Sequence, residues 1–146
     1  MPAGVEVPDG ERVVEWAPTP DGAAVATETA LLLPGGVRLP WAEVDQVRWR
    51  RPVLVVDVPG RPPVRVRLSE PRRLPEAVRE RVQASIVVSA YHRLGRGGGV
   101  RVVARRAGSG EPVWSLVYDG GADASDPATR AEAHGILGDV RAQTGL

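Results

Sequence analysis

Acid–base catalysis needs a group that titrates near neutral pH, and this chain of 146 residues offers two histidines, His92 and His134, and eighteen carboxylates. With no cysteine, a thiolate nucleophile, a zinc–thiolate site and a disulfide framework are excluded. His92 lies in a run of small and apolar residues, and His134 stands beside the apolar stripe of a helix-forming segment, so a structural or surface role is the plainer account of each. Glu43 with Asp45, and Glu76 with Glu80, are close enough in sequence to work as carboxylate pairs. The second pair shares a helical face with Arg79, where glutamates stay ordinary surface acids. No serine stands in a GxSxG elbow, and Ser109 sits in a turn between two glycines. Asp119, Asp123 and Asp126 lack the spacing of a calcium loop and read as turn and capping residues. The Gly-rich GRGGG at 95–99 leads into a strand, with no GK[ST] after it, so it reads as a hairpin turn whose Arg93, Arg96 and Arg101 make a cationic tip. No cofactor and no metal site is expected.

The remaining candidates are arginine and tryptophan. All nineteen basic residues are Arg, and Lys, Asn and Phe are absent, as a G+C-rich coding sequence would produce. Arg therefore also fills ordinary surface positions here, and its distribution says more than its abundance. Residues 1–47 hold two Arg against eight acids, 48–106 hold fifteen against four, and 107–146 hold two against six. The basic middle either pairs with the acidic ends, which is the simpler account at a net charge of +1, or forms a surface for an acidic partner. Arg48, Arg50, Arg65, Arg67, Arg101 and Arg105 alternate along strand-like runs and would point outward together. Trp41 and Trp49 lie beside the first of them. Core packing is the plain reading of all four Trp, and a half-exposed Trp41 or Trp49 anchoring a partner is the sharper one.

The elements that must position these residues follow from periodicity and turn chemistry. Residues 1–10 read as a flexible lead-in and 11–146 as one domain. ERVVEWAP, the turn TPDG and AAVATETALLL form a hairpin, followed by a turn at Pro34-Gly35-Gly36, a short helical turn at Trp41 and a strand through Arg48 and Arg50. PVLVVDV and VRVRL alternate, placing Arg65 and Arg67 on one face and Val64, Val66 and Leu68 on the other. The spacing Leu74, Val78, Val82, with Pro75 at the start, predicts a helix over 74–84. Three further strands form an antiparallel meander over 85–119. A second helix follows at about 127–143, capped by Asp126 and stopped at Gly145. Gly135 and Gly138 weaken it unless docking holds it or a neighbour approaches closely there. The fold class is α+β, predominantly antiparallel, with about eight or nine strands in a barrel or two-sheet core and two helices, the meander and last helix sharing that core. No apolar run is long enough to span a bilayer, and MPAGVEVPDGER has neither a basic start nor an apolar stretch, so a soluble, cytoplasmic protein is expected.

VATETALLL followed by LPWAEVDQVRW resembles the bacterial pleckstrin-homology-like pattern over about residues 11–84, through Thr27, Leu31 to Leu33, Pro40, Trp41, Glu43 and Val44. The whole chain also resembles a small actinobacterial protein family, a likeness that implies no activity. The first resemblance implies a binding module for phosphoinositides, peptides or proteins rather than an enzyme. Lipid-binding members carry basic residues around the first loop; here it is APTPDG, with Asp21 its only charge, which argues against phosphoinositide at that place. Three functions are thus expected in order. The first is a binding or scaffold module engaging an acidic protein partner, or itself as a homo-oligomer, through Trp41, Trp49 and the Arg-rich faces. The second is nucleic-acid binding along the phosphate backbone through Arg65, Arg67, Arg101 and Arg105. The third is a small enzyme with a shallow site.

Overall fold

The computed structural model describes residues 5–108 and 110–146, so the turn expected at Ser109 and the first four residues of the lead-in lie outside the described residues. The chain is α+β and mostly antiparallel β, with ten strands in three sheets and two helices among the described residues. The described residues gather into two compact units, 5–85 with 106–111 and 86–105 with 112–146.

The first unit begins with a four-stranded sheet of β1 (Val13–Thr19), β2 (Gly22–Thr27), β3 (Ala30–Leu33) and β4 (Val37–Pro40), paired in that order. A single 3-10 turn, Trp41–Glu43, leads to a three-stranded sheet of β5 (Gln46–Arg50), β6 (Val53–Asp57) and β7 (Val64–Arg67), and then to helix α1 (Leu74–Ala84). Alternation decides what each strand buries. Ala24, Ala26, Leu31, Leu33 and Leu39 from the first sheet meet Leu54, Val56 and Val66 from the second and Leu74, Val78 and Val82 from α1 in one apolar cluster. The other face of the four-stranded sheet is covered too. Val5, Val7, Val13 and Trp16 pack there on Ala23, Val25, Ala30 and Leu32.

The strand count exceeds the expected eight or nine because AAVATETALLL does not run straight. The Thr27 hydroxyl accepts from the backbone N–H groups of Thr29 and Ala30 and donates to the Ala30 carbonyl, which turns the chain at Glu28-Thr29 and makes two strands of one apolar run. Trp41 locks that turn. Its indole is 1% exposed, and its Nε1–H donates to the Thr27 carbonyl at 2.9 Å.

The second unit is a sheet ordered β10–β9–β8, built from β8 (Ile86–Arg93), β9 (Gly99–Arg105) and β10 (Val113–Asp119), with helix α2 (Pro127–Thr144). Leu94, Val100 and Ala133 form its core with Leu116, Tyr118 and Ile136. Asp126 caps α2 by accepting from the Thr129 N–H at 3.2 Å and its hydroxyl at 2.8 Å, Pro127 opens the helix, and Gly145 ends it at φ 70°. Gly135 and Gly138 have no neighbour within 4 Å of where a Cβ would stand, so close approach is not what keeps glycine there.

Candidate basic face on the three-stranded sheet

The register of β5, β6 and β7 collects four arginines. Arg48 lies opposite Val55, which lies opposite Arg65; Arg50 lies opposite Val53, which lies opposite Arg67. Residues directly opposite in an antiparallel pair share a face, so Arg48, Arg50, Arg65 and Arg67 all stand on the side turned away from the core. Strand geometry spaces them about 6.7 Å along each strand and about 10 Å across β6. Val55 is 1% exposed between Arg48 and Arg65, whose aliphatic stems are long enough to close over it.

Among the described residues, the carboxylate paired with this face is Asp57. Asp57 accepts from Arg48 at 3.1 Å and from the Gln46 amide at 2.9 Å, at the end of the face away from Arg50. The Arg48 Nε is buried with no partner, while Arg50, Arg65 and Arg67 are exposed and have no ion pair among the described residues. Like charges at such spacing repel, so the unliganded face costs stability that an anionic partner would restore.

A recess of about 400 Å³ borders the same face along β7. The Leu68 N–H donates to the Pro52 carbonyl, so Val64 and Val66 turn their backbone groups toward β6, and Arg65 and Arg67 turn theirs away from it. β7 is an edge strand, and β1 approaches its free side at one point, where the Ser69 N–H donates to the Pro18 carbonyl at 2.9 Å. Pro18 has no N–H to return, and neither has Pro20 two residues on. Beyond that bond the gap opens into the recess, lined by Thr19, Pro20, Asp21, Leu33, Pro34, Val37 and the length of β7.

The other residues named from sequence fall elsewhere. Trp41 is buried in the first core, which removes it as a surface anchor; its role is the turn at Thr27. Trp49 is half-buried and turned inward, on the opposite side of β5 from Arg48 and Arg50. Arg105 is 5% exposed at the end of β9 and so does not stand on an outward basic stripe, although Arg101, on the same face of that strand, is exposed. Arg101 is exposed on β9, donates to the Ser89 hydroxyl at 3.1 Å, and lies 5.6 Å from the Tyr91 ring. Pairing of the basic middle with the acidic ends accounts for Arg72 with Glu15 at 3.2 Å and Arg96 with Asp126 at 3.6 Å.

Sequence reading missed one arrangement. The Arg72 guanidinium lies 4.1 Å over the Trp16 ring while it pairs with Glu15. Arg72 holds φ 50°, a conformation its residue type does not announce.

The sites that might have carried other chemistry are occupied by structural bonds. In the 95–99 turn the Gly95 N–H donates to the Glu132 carboxylate, so the amide a phosphate would use is already taken by an acid. The Asp123 carboxylate accepts from the Ser125 N–H and hydroxyl, and the hydroxyl bond above all holds it below its ordinary pKa. The Thr129 hydroxyl does the same for Asp126. Burial pushes the Glu11 carboxyl up, but the Thr29 hydroxyl and the hydrogen bond and charge of Arg38 outweigh it and hold it below the usual range. His92 and His134 are both exposed, as are Glu76 and Glu80. Among the described residues no cluster of His, Asp or Glu has a metal-binding arrangement, and no helix is long and apolar enough to cross a membrane. No family model, curated protein or solved structure matches the chain.

Proposed function

We propose that the protein is a non-enzymatic, cytoplasmic binding module that engages an acidic segment of a partner protein through Arg48, Arg50, Arg65 and Arg67. The observation that carries this reading is the register: four arginines share one sheet face, and three of them have no ion pair among the described residues. A pleckstrin-homology-like reading of the first unit is supported by its four strands, three strands and helix over one core, and by Thr27 and Trp41, which form the turn device between β2 and β3. The β1–β2 turn keeps Asp21 as its only charge, so a phosphoinositide is not the ligand proposed there. A nucleic acid is disfavoured because backbone-tracking grooves interleave aromatic platforms with their cations, and the aromatic ring of β5, Trp49, faces the core.

Fluorescence anisotropy with a glutamate-rich peptide tests the reading, measured at about 50 and about 200 mM salt where ion-pair binding changes most. The triple variant Arg50→Glu, Arg65→Glu, Arg67→Glu should lose binding, and Arg101→Glu should keep it. Absence of binding at low salt, or binding that survives the triple variant, overturns the proposal. An oligonucleotide that binds more tightly than the peptide would transfer the face to nucleic acid. A salt-sensitive dimer abolished by the triple variant would make a second copy of the chain the partner.

A further inference from the structure

The face and the recess beside it make a further demand on the partner's conformation. Resting on the acidic-partner reading above, we propose that the partner segment binds as an added antiparallel strand on the free edge of β7, with acidic residues at every second position and small apolar residues between them.

Three features converge on that edge. The N–H and C=O groups of Arg65 and Arg67 point away from β6, and among the described residues nothing takes them up, so they offer two donors and two acceptors to an incoming backbone. Side chains of an added strand would alternate between the two faces of the sheet. Those opposite Arg65 and Arg67 would lie on the outer face, about 4.8 Å from β7 and about 6.7 Å from each other, where a carboxylate would meet each guanidinium. Those between them would enter the recess against Leu33, Val37, Pro20 and Pro34, which suit valine or alanine, while Asp21 on its rim would repel an acid placed there.

The same geometry fixes the footprint. Beyond Arg67 the edge is closed by the bond from Ser69 to Pro18, so the segment can run toward Val64 and past it but not the other way. A five-residue segment spans the four residues of β7 and one more beyond Val64, about 17 Å at the rise of an extended strand. β1 does not fill it, because the chain turns back at Pro20-Asp21, where Thr19 pairs with Gly22, and neither Pro18 nor Pro20 has an N–H to give to β7.

Two capped pentapeptides of identical composition separate this proposal from the reading beneath it. One alternates glutamate and valine; the other places three glutamates before two valines. The alternating peptide should bind about ten-fold more tightly. Hydrogen exchange, followed by NMR, should slow at the Arg65 and Arg67 amides. N-methylation of its glutamate amides, which would face β7, should abolish the advantage, while N-methylation of its valine amides, which would face solvent, should leave it. Equal binding of the two isomers without amide protection sinks strand addition and leaves the basic face standing. Failure of both peptides at low salt removes both proposals together.

Discussion

Trp41 illustrates how one side chain can carry the information of a whole connection. Its ring fills the first core while its N–H satisfies the carbonyl of Thr27, the residue whose hydroxyl turns β2 into β3. Trp41→Phe keeps most of the volume but strands that carbonyl, and should cost about 1–3 kcal/mol. Trp41→Ala adds a cavity and should cost about 3–5 kcal/mol, both read from urea denaturation midpoints at constant m-value. The carboxylates give a prediction of known sign. Glu11, Asp123 and Asp126 all sit below their ordinary pKa in the folded protein, so between the folded and unfolded values the unfolded chain binds more protons. Their contribution is complete above the ordinary carboxylate value of about 4 and disappears as pH falls through the lower, folded values. Stability measured against pH should therefore be flat from about pH 7 to 5 and fall below about pH 4. Asp126→Asn, which keeps an N-cap acceptor but cannot titrate, should flatten the part of that fall that belongs to α2, whereas Asp126→Ala should lower stability at every pH.

Helix α2 keeps two glycines that its geometry does not require. Both positions are open to solvent with no close neighbour, so Gly135→Ala and Gly138→Ala should each stabilise the helix by about 0.5–1 kcal/mol, seen as a higher thermal midpoint. Gly98 is the contrast. It holds φ 70°, and a Cβ there would stand 2.6 Å from the Asp119 carbonyl, so Gly98→Ala should disrupt the second unit's sheet, with loss of near-ultraviolet signal from Trp114. Both helices were legible in the sequence to within a residue, because a 3.6-residue stripe and a proline at the first turn agree at 74–84 and at 127–144, with a capping aspartate added at the second. The basic face was half legible. Alternation in VRWR and VRVR gave the direction of each arginine, but nothing in either run says that Arg48 lies opposite Val55 and Val55 opposite Arg65, which is a property of pairing. Arg105 was misread because alternation gives the face of a residue and not how far along the strand that face is covered, whereas for Trp41 the plain reading, core packing, is the one the structure shows. The open side of β7 had one sequence signal, the prolines of APTPDG, which matter through the N–H groups they lack.

Across the molecule, a net charge of +1 conceals a strongly basic middle, and the ion pairs of Arg72 and Arg96 answer only part of it. Salt should therefore act with opposite signs on the free and the liganded protein. Between about 50 and 200 mM it should weaken binding to the basic face. The same change should leave the stability of the free protein unchanged or raise it by a few tenths of a kcal/mol, because arginines roughly 7 Å apart repel within a screening length of about 10 Å. Parallel denaturation and binding titrations at the same salts check the pair. At the junction between the two units, the Arg106 N–H donates to the Ser85 carbonyl at 2.8 Å, so the chain leaves the first unit and re-enters it almost at the same point. The excursion does not close on itself: β8 and β9 take their third strand, β10, from the chain after it has passed through the first unit again. The second unit is therefore complete only when residues 112–146 have joined 86–105, and in a chain made from its N-terminus the first unit can be finished before it.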